Sequence, residues 1–343
     1  MTLYGERCPV VVLTGFLGSG KTSLLNRALK DPALGDCAVL VNEFGAVGLD
    51  HHLLEVIDGN TVLLASGCVC CTIRDDLKSA VLELQDKRAR GAVPAFSRLV
   101  IETTGLADPT PIIATFMSDQ SLRHHYRPSL VVTTVDALLG LTTLGAHQES
   151  VKQVALADRL VLTKTDLASP ATLEALRGRL AAVNQAAQVV TAFDDALNVA
   201  ALLRADVYTP GHRETEVAHW FSAAPHLDHV GDDRNRHNSD IHTFCMVVKD
   251  ALDWTAFGVW LTLLLHCHGD KVLRVKGLLN VQGVATPVVI NGVQHLVHPP
   301  VHLARWPDPD RRSRIVFIVQ GLAQSSIQNS LAAFNELGAA LAL

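Results

Sequence analysis

The sequence predicts an α/β fold with a mostly parallel sheet covered by helices on both faces, followed by a smaller α+β domain. Short apolar runs rich in Val, Ile, Leu and Thr alternate with helical patterns up to about residue 203. This alternation is typical of a parallel sheet packed between helices. Regular patterning then stops and resumes near residue 243, which predicts a second domain.

Six apolar runs are predicted to be buried strands of the first domain, and three segments between them are predicted to be helices. The predicted strands are Val10–Thr14, Ala38–Val41, Thr61–Ala65, Leu99–Ile101, Leu130–Val135 and Arg159–Thr163. The predicted helices are Ser23–Leu29, Asp75–Gln85 and Pro170–Val183. These elements assign residues 1–205 to the first domain.

Residues 206–242 combine prolines, glycines and a charged run with few aliphatic residues, so they are predicted to be a linker. The linker is rich in histidine, and it is interpreted either as a low-affinity metal reservoir or as a merely polar segment. Residues 243–343 are predicted to form the α+β domain. Its strands are predicted at Thr243–Val248, Lys271–Lys276, Pro287–Ile290 and Arg314–Val319, and its helices at Trp254–Leu265 and Ser326–Leu337.

The composition excludes several classes of protein. Apolar residues make up 48% of the 343 residues and charged residues 18%, which excludes general disorder. The net charge of -5 provides no global basic field, so we expect no nucleic-acid partner. The longest uncharged apolar stretch, Trp254–His268, is shorter than the roughly 18 residues that span a bilayer, so we expect no membrane partner. Because the N-terminal segment also lacks a signal-peptide pattern, the predicted location is cytoplasmic.

A glycine-rich motif directly follows the first predicted strand and opens a helix. It reads GFLGSGKT from Gly15 to Thr22 and fits G-x-x-x-x-G-K-[ST]. Glycines let backbone N–H groups surround phosphate oxygens, and the helix dipole adds positive potential. Lys21 is expected to reach the terminal phosphates, and the Thr22 hydroxyl is expected to bind Mg²⁺. The residues predicted to bind nucleotide here are Gly15, Gly18, Ser19, Gly20, Lys21, Thr22 and Ser23.

A carboxylate ends the predicted strand Leu99–Ile101. Glu102 is expected to hold a water bound to Mg²⁺, and the Gly105 N–H is expected to contact the γ-phosphate. Such a contact would report whether the nucleotide is a triphosphate or a diphosphate. Together with Lys21 and Thr22, these two residues form the predicted catalytic set.

The tetrapeptide Thr163-Lys164-Thr165-Asp166 follows another predicted strand and resembles the [NT]-K-x-D motif that reads guanine. The Asp166 carboxylate can accept from both the N1–H and the exocyclic amine of guanine. Adenine presents an acceptor at N1, which would leave a buried charge unpaired. The motif therefore predicts GTP rather than ATP, with Thr163, Lys164 and Asp166 at the base. Asp136 ends a further strand at the same sheet edge, and the sequence assigns it no role.

Three cysteines, Cys68, Cys70 and Cys71, lie between a predicted strand and a predicted helix. Thiolates select Zn²⁺, Cu(I) and similar ions, and three of them need one more ligand for a tetrahedral site. Buried structural cysteines and a redox pair are alternatives, but a disulfide between adjacent cysteines would be strained. Metal binding is therefore favoured. A separate cluster, His266-Cys267-His268, ends an apolar helix and is either packed in a core or a second metal site.

Five motifs, taken in order, resemble those of the CobW-like GTPases, which are relatives of the urease, hydrogenase and cobalamin accessory proteins. They are GFLGSGKT at Gly15–Thr22, NEFG at Asn42–Gly45, GCVCC at Gly67–Cys71, ETTG at Glu102–Gly105 and TKTD at Thr163–Asp166. The segments around Leu273–Gly277, Trp306 and Arg314–Ile318 resemble the C-terminal domain of that family. The resemblance covers most of the chain.

The resemblance implies a GTP-hydrolysing metallochaperone with slow intrinsic turnover, which uses GTP/GDP, Mg²⁺ and Zn²⁺ or Co²⁺. It maps the family's transition-metal site to Cys68, Cys70 and Cys71, with Glu43 as an oxygen ligand or switch residue. The implied partner is a client metalloprotein, and a homodimer is one assembly found among related proteins. A metal store or sensor with structural GTP, and an activator that docks on one apo-enzyme, are the alternatives. The identity of the metal and its fourth ligand stay open.

Overall fold

A computed structural model describes residues 4–42, 54–57, 61–66, 73–192, 197–204, 206, 208, 213–221 and 241–341. The chain forms two compact units, Met1–Arg177 with Val189–Ala205, and Gly178–Gln188 with Asp206–Leu343. Within the ranges that the structure describes, no helix is both long enough and apolar enough to cross a bilayer.

Among the described residues, the first sheet has eight strands, and most of them are parallel. Their bounds are β1 Cys8–Gly15, β2 Cys37–Asn42, β3 Leu54–Ile57, β4 Thr61–Ser66, β5 Arg98–Glu102, β6 Tyr126–Asp136, β7 Arg159–Thr163 and β8 Gln188–Thr191. The spatial order is β3-β4-β2-β5-β1-β6-β7-β8. The six strands from β4 to β7 in this order pair in parallel, whereas β3 at the edge is antiparallel to β4. The predicted α/β class is confirmed.

Helices pack on both faces of this sheet. Their bounds are α1 Lys21–Leu29, α2 Ile73–Ala89, α3 Thr110–Ser118, α4 Leu122–His125, α5 Gly140–Ala146, α6 Gln148–Leu156, α7 Pro170–Val183 and α8 Val199–Arg204. Val11 and Leu13 of β1 share a buried cluster with α1 and α8. Successive strand residues point to opposite faces of the sheet. On the opposite face, α6 packs against β1 and β6, and α3 packs against β6.

The second unit is an antiparallel sheet with helices. Its strands are β9 Ile241–Val248, β10 Val272–Leu279, β11 Val288–Val293, β12 Leu296–Val297, β13 Val301–His302 and β14 Ser313–Gln320. Its helices are α9 Arg213–Phe221, α10 Trp254–His268 and α11 Gln324–Leu341. The strand order is β12-β11-β10-β14-β9, with β13 paired to β11. This architecture confirms the predicted smaller α+β domain.

Helices α10 and α11 cover one face of the second sheet. Phe317 of β14 is fully buried there, with its ring centroid 5.5 Å from that of Phe244 and 6.3 Å from that of Trp260. The indole Nε1 of Trp260 donates to Ser330 Oγ of α11 at 2.9 Å. An apolar core therefore joins both helices to the sheet, and the buried indole nitrogen keeps a hydrogen-bond partner.

Two expectations about the second half of the chain need correction. Helix α9 forms inside the segment 206–242, which the sequence predicts to be a linker, and it buries Val217, Trp220 and Phe221. This spacing of three and four residues places the three side chains on one helical face. Residues 222–240 lie outside the described part of the chain. The three side chains of His266-Cys267-His268 are exposed, so the interpretation of this cluster as packed core is wrong.

Candidate nucleotide-binding site

The predicted phosphate, Mg²⁺ and guanine motifs follow three strands of the first sheet. The phosphate loop follows β1, Glu102 ends β5, and Thr163 ends β7. In the sheet, β5, β1, β6 and β7 are consecutive neighbours, and all run parallel. Because the carboxyl ends of parallel strands meet at one edge, the three motifs come together there.

Close contact with β6 shapes the start of the phosphate loop. Gly15 has φ of 140°, and a Cβ at this position would lie 2.3 Å from Thr134 Oγ1 and 2.4 Å from the Thr134 carbonyl oxygen. Only glycine fits both this conformation and this space. The Ser19 and Thr134 hydroxyls are hydrogen-bonded at 2.7 Å, and this pair is buried. The loop is therefore anchored to β6 at both its first glycine and its serine.

The Lys21 ammonium group is folded back onto the phosphate loop. Its Nζ donates to the carbonyl oxygens of Gly15 at 2.9 Å and Phe16 at 3.2 Å. Burial lowers the pKa of Lys21, while the negative charge of Glu102 opposes this shift. An anion in the loop would favour the charged ammonium form, so phosphate binding and Lys21 protonation reinforce each other.

Two oxygen groups meet beside the start of α1. The Thr22 hydroxyl donates to Glu102 Oε1 at 2.6 Å, and Glu102 is buried. A hydroxyl and a carboxylate are hard oxygen donors, which Mg²⁺ prefers in phosphate sites. The pair therefore fits a magnesium ion. Ser23, the third residue of the helix, is exposed.

The loop after β5 packs directly on the phosphate loop. A Cβ on Gly105 would lie 2.6 Å from Leu17 N and 2.7 Å from Leu17 Cα. The same loop is tied to β1, because Thr103 N donates to the Leu13 carbonyl oxygen at 2.9 Å and Thr103 Oγ1 donates to Thr14 Oγ1 at 2.8 Å. Gly105 thus lies against the backbone of the loop that is predicted to bind the phosphates.

The guanine motif is attached to the phosphate loop and to Asp136. Thr163 Oγ1 donates to the Ser19 carbonyl oxygen at 2.8 Å. Lys164 has a left-handed backbone with φ of 53°, and its Nζ contacts Asp136 Oδ2 at 2.6 Å. Asp166 is exposed beyond this anchor. Hydrogen bonds therefore fix Thr163 and Lys164, the first two residues of the motif, whereas Asp166 is exposed to solvent.

Asp136 is the site residue for which sequence reasoning found no role. Its Oδ1 accepts from the backbone N–H groups of Leu138 at 2.8 Å and Leu139 at 3.0 Å. Burial raises the pKa of Asp136, but the hydrogen bonds from Lys164 and from these two N–H groups outweigh it and lower the pKa. Asp136 holds Lys164 in place. The available signal was an acid at the end of a strand, but its partner lies 28 residues later.

The predicted transition-metal ligands Glu43, Cys68, Cys70 and Cys71 lie outside the residues that the structure describes. In the part of the chain that is described, no group of three or more His, Cys, Asp or Glu side chains could hold a metal ion. The cysteines in the described ranges therefore do not form an alternative metal site. Cys37 and Cys245 are buried, and burial raises the pKa of the Cys37 thiol to about 11.

Comparison with known proteins identifies the same class of nucleotide-binding domain. Residues 9–191 match the family model described as CobW/HypB/UreG, nucleotide-binding domain, and residues 241–335 match that of the cobalamin synthesis protein cobW C-terminal domain. The zinc chaperone YjiA of Escherichia coli is 34% identical over 323 residues, covering 94% of this chain and 97% of that protein. The zinc-regulated GTPase metalloprotein activator 1 of Schizosaccharomyces pombe is 34% identical over 304 residues, covering 79% of this chain and 72% of that protein.

A solved structure extends the similarity to the fold. The crystal structure of Zn(II)-bound YjiA GTPase from E. coli aligns with a TM-score of 0.72 at 30% identity. The alignment covers 96% of this chain and 99% of that one, so it includes both sheets. The chain therefore belongs to the CobW/HypB/UreG family of nucleotide-binding proteins and carries the CobW C-terminal domain.

Proposed function

We propose that this chain is a GTP-hydrolysing zinc metallochaperone whose GTP site is the edge formed by β1, β5 and β7. The observation that carries the proposal is the meeting of Lys21, the Thr22–Glu102 pair and the Thr163–Asp166 motif at one sheet edge. Family membership and the GTPases among its relatives support the same activity. The chain is a GTPase.

Each residue has a distinct task in hydrolysis of GTP to GDP and phosphate. Lys21 binds the terminal phosphates, and the Gly105 N–H reads the γ-phosphate. Asp166 accepts from guanine, while Asp136 holds Lys164 beside it. Thr22 and Glu102 would hold Mg²⁺, which when bound neutralises charge on the phosphate oxygens. Catalysis by this chain is then mainly positioning and charge stabilisation.

Zinc is the cargo in this proposal, and Cys68, Cys70 and Cys71 with Glu43 are its proposed ligands. The names of the relatives from E. coli and S. pombe both refer to zinc. Three thiolates and one carboxylate suit tetrahedral Zn²⁺. Nucleotide state controls zinc affinity, and a client metalloprotein receives the ion. The proposed domain limits are 1–205 and 243–343, supported by the family-model matches at 9–191 and 241–335; helix α9 lies in the segment between them.

The test is GTP hydrolysis by the metal-free full chain, titrated with Zn²⁺ and with Co²⁺. The wild type is compared with a triple Cys68/Cys70/Cys71→Ser variant. Cys267→Ser is the matched control, because Cys267 is exposed and lies outside the proposed ligand set. We expect metal to change the rate in the wild type and the control but not in the triple variant.

Other outcomes select other functions. If metal leaves the rate unchanged in every protein while Zn²⁺ still binds to the three cysteines, the chain is a metal store in which GTP is structural. If wild type and triple variant respond equally to metal, the cysteines are not the regulatory ligands. No hydrolysis by the wild type under any condition would refute the GTPase assignment itself.

A further inference from the structure

We infer that Gln153 of helix α6 is a positioning residue that holds the Gly105 loop in place to read the terminal phosphate of GTP. The inference rests on the proposed function, because it concerns the same nucleotide site. Gln153 belongs to none of the nucleotide motifs, and it lies 48 residues after Gly105 in the chain.

The side-chain amide of Gln153 spans the Gly105 loop. Its Nε2 donates to the carbonyl oxygen of Gly105 at 3.1 Å and to that of Ala107 at 3.0 Å. Both partners are acceptors, so both N–H groups of the amide are used and its orientation is determined. Gln153 is 1% exposed, so water does not readily replace these bonds.

The backbone of Gln153 is also held. Thr133 Oγ1 of β6 donates to the Gln153 carbonyl oxygen at 3.0 Å, which fixes α6 to the sheet beside the phosphate loop. The neighbouring residue Lys152 forms an ion pair with Asp108 at 2.6 Å, in the segment that follows Gly105. The amide of Gln153 is therefore presented to the loop from a rigid element.

Helix α6 contacts the phosphate loop as well. His147, the residue before the helix, stacks on Phe16 with ring centroids 4.6 Å apart. Gln153 and Phe16 line one pocket of about 120 Å³, together with Leu17 and Ser19 of the phosphate loop. One helix thus supports both the loop that binds phosphates and the loop that reads the γ-phosphate.

The two hydrogen bonds from Gln153 control where the backbone of Gly105 lies. Its N–H can meet the γ-phosphate only if the loop stays against Leu17, where there is no space even for a methyl group. The two bonds from Gln153 restrain the carbonyl side of Gly105 and of Ala107, which keeps the loop there. GDP lacks the γ-phosphate, so loss of this restraint penalises GTP and spares GDP.

The experiment measures the affinities of the full chain for GDP and for a non-hydrolysable GTP analogue in the presence of Mg²⁺, and kcat for GTP. Gln153→Ala removes both hydrogen bonds, and Gln153→Met removes them while retaining side-chain length. Gln148→Ala is the matched control, since Gln148 is an exposed glutamine of the same helix. We expect the ratio of GTP to GDP affinity to fall about tenfold in both Gln153 variants, equivalent to ~1.4 kcal/mol. The kcat falls with it, whereas the control keeps the wild-type ratio.

If a Gln153 variant binds GDP with the wild-type affinity, its nucleotide site is correctly folded. If both Gln153 variants lose GTP and GDP affinity equally, the residue is only structural and the inference is wrong. If both keep the wild-type ratio and kcat, the inference is also wrong, while the proposed function stands because the wild type hydrolyses GTP. A wild type without GTPase activity overturns the proposed function and this inference together.

Discussion

Replacing Gly105 by alanine is expected to slow GTP hydrolysis strongly without unfolding the first unit. The added Cβ would lie 2.6 Å from Leu17 N and 2.7 Å from both Leu17 Cα and Leu17 Cδ2. Carbon atoms in contact are ordinarily about 3.5–4.0 Å apart, so the two loops must separate by roughly 1 Å. Because two of the three contacts are to backbone atoms, a change of side-chain rotamer does not relieve them.

A displacement of about 1 Å at a reacting centre can reduce the rate by about 100-fold, which corresponds to a barrier increase of ~2.7 kcal/mol. We therefore expect kcat of Gly105→Ala to be about 100-fold lower than that of the wild type. Phosphate release from GTP under single-turnover conditions measures this step directly. GDP affinity is expected to change little, because the proposed partner of the displaced N–H is the γ-phosphate, which GDP lacks.

The matched control is Gly145→Ala in helix α5. An added Cβ there meets no atom within 4 Å, and alanine is a better helix former than glycine. This variant should hydrolyse GTP at the wild-type rate with equal or higher stability. If Gly105→Ala also retained the wild-type rate, the close packing of the two loops would have no part in catalysis, and the reasoning would be refuted.

Three further predictions concern other parts of the molecule. Lys21→Ala removes the ammonium from the phosphate loop and should abolish tight GTP binding, measured by fluorescent-nucleotide titration; retained tight binding would contradict the site assignment. The pKa of Asp136 is lowered in the folded state, so the ionised carboxylate stabilises the fold above pH 3.8, its ordinary pKa, and this stabilisation is lost as the pH falls below that value. The Asp136→Asn variant should lack this pH-dependent loss of stability when its acid unfolding is followed by far-UV circular dichroism. Phe317→Ala in the second core should lower the unfolding free energy by about 3–5 kcal/mol, whereas Leu263→Ala on the exposed face of α10 should change it by about 0.5 kcal/mol or less; tryptophan fluorescence measures both, and equal effects would contradict the core assignment.

Local pattern was sufficient to predict most elements of both sheets. The strand Arg159–Thr163 and the helix Pro170–Val183 have the predicted bounds, because each is a continuous apolar or amphipathic segment with clear ends. Strands β3 and β8 were not predicted. Each has only four residues, too few for a periodic signal, and its pairing depends on a neighbouring strand. Helix α9 was missed because the surrounding prolines and glycines outweighed its short apolar stripe.

The sequence by itself determined which chemistry the first unit carries. The phosphate loop, the acid at Glu102 and the TKTD motif are local patterns, since each needs only a few consecutive residues after a strand. The parallel order of elements then implied that these motifs share one edge. Family membership also followed from these motifs and was confirmed by the family-model matches.

Only the tertiary structure decided which residues support that chemistry. The hydrogen bonds between Lys164 and Asp136, between Ser19 and Thr134 and between Gln153 and Gly105 join residues 28 to 115 positions apart. No short motif encodes such pairs, because each contact depends on how a strand or helix is placed in the fold. A buried glutamine or a strand-end aspartate looks ordinary along the chain, and it acquires a role only when folding brings its partner within hydrogen-bond distance.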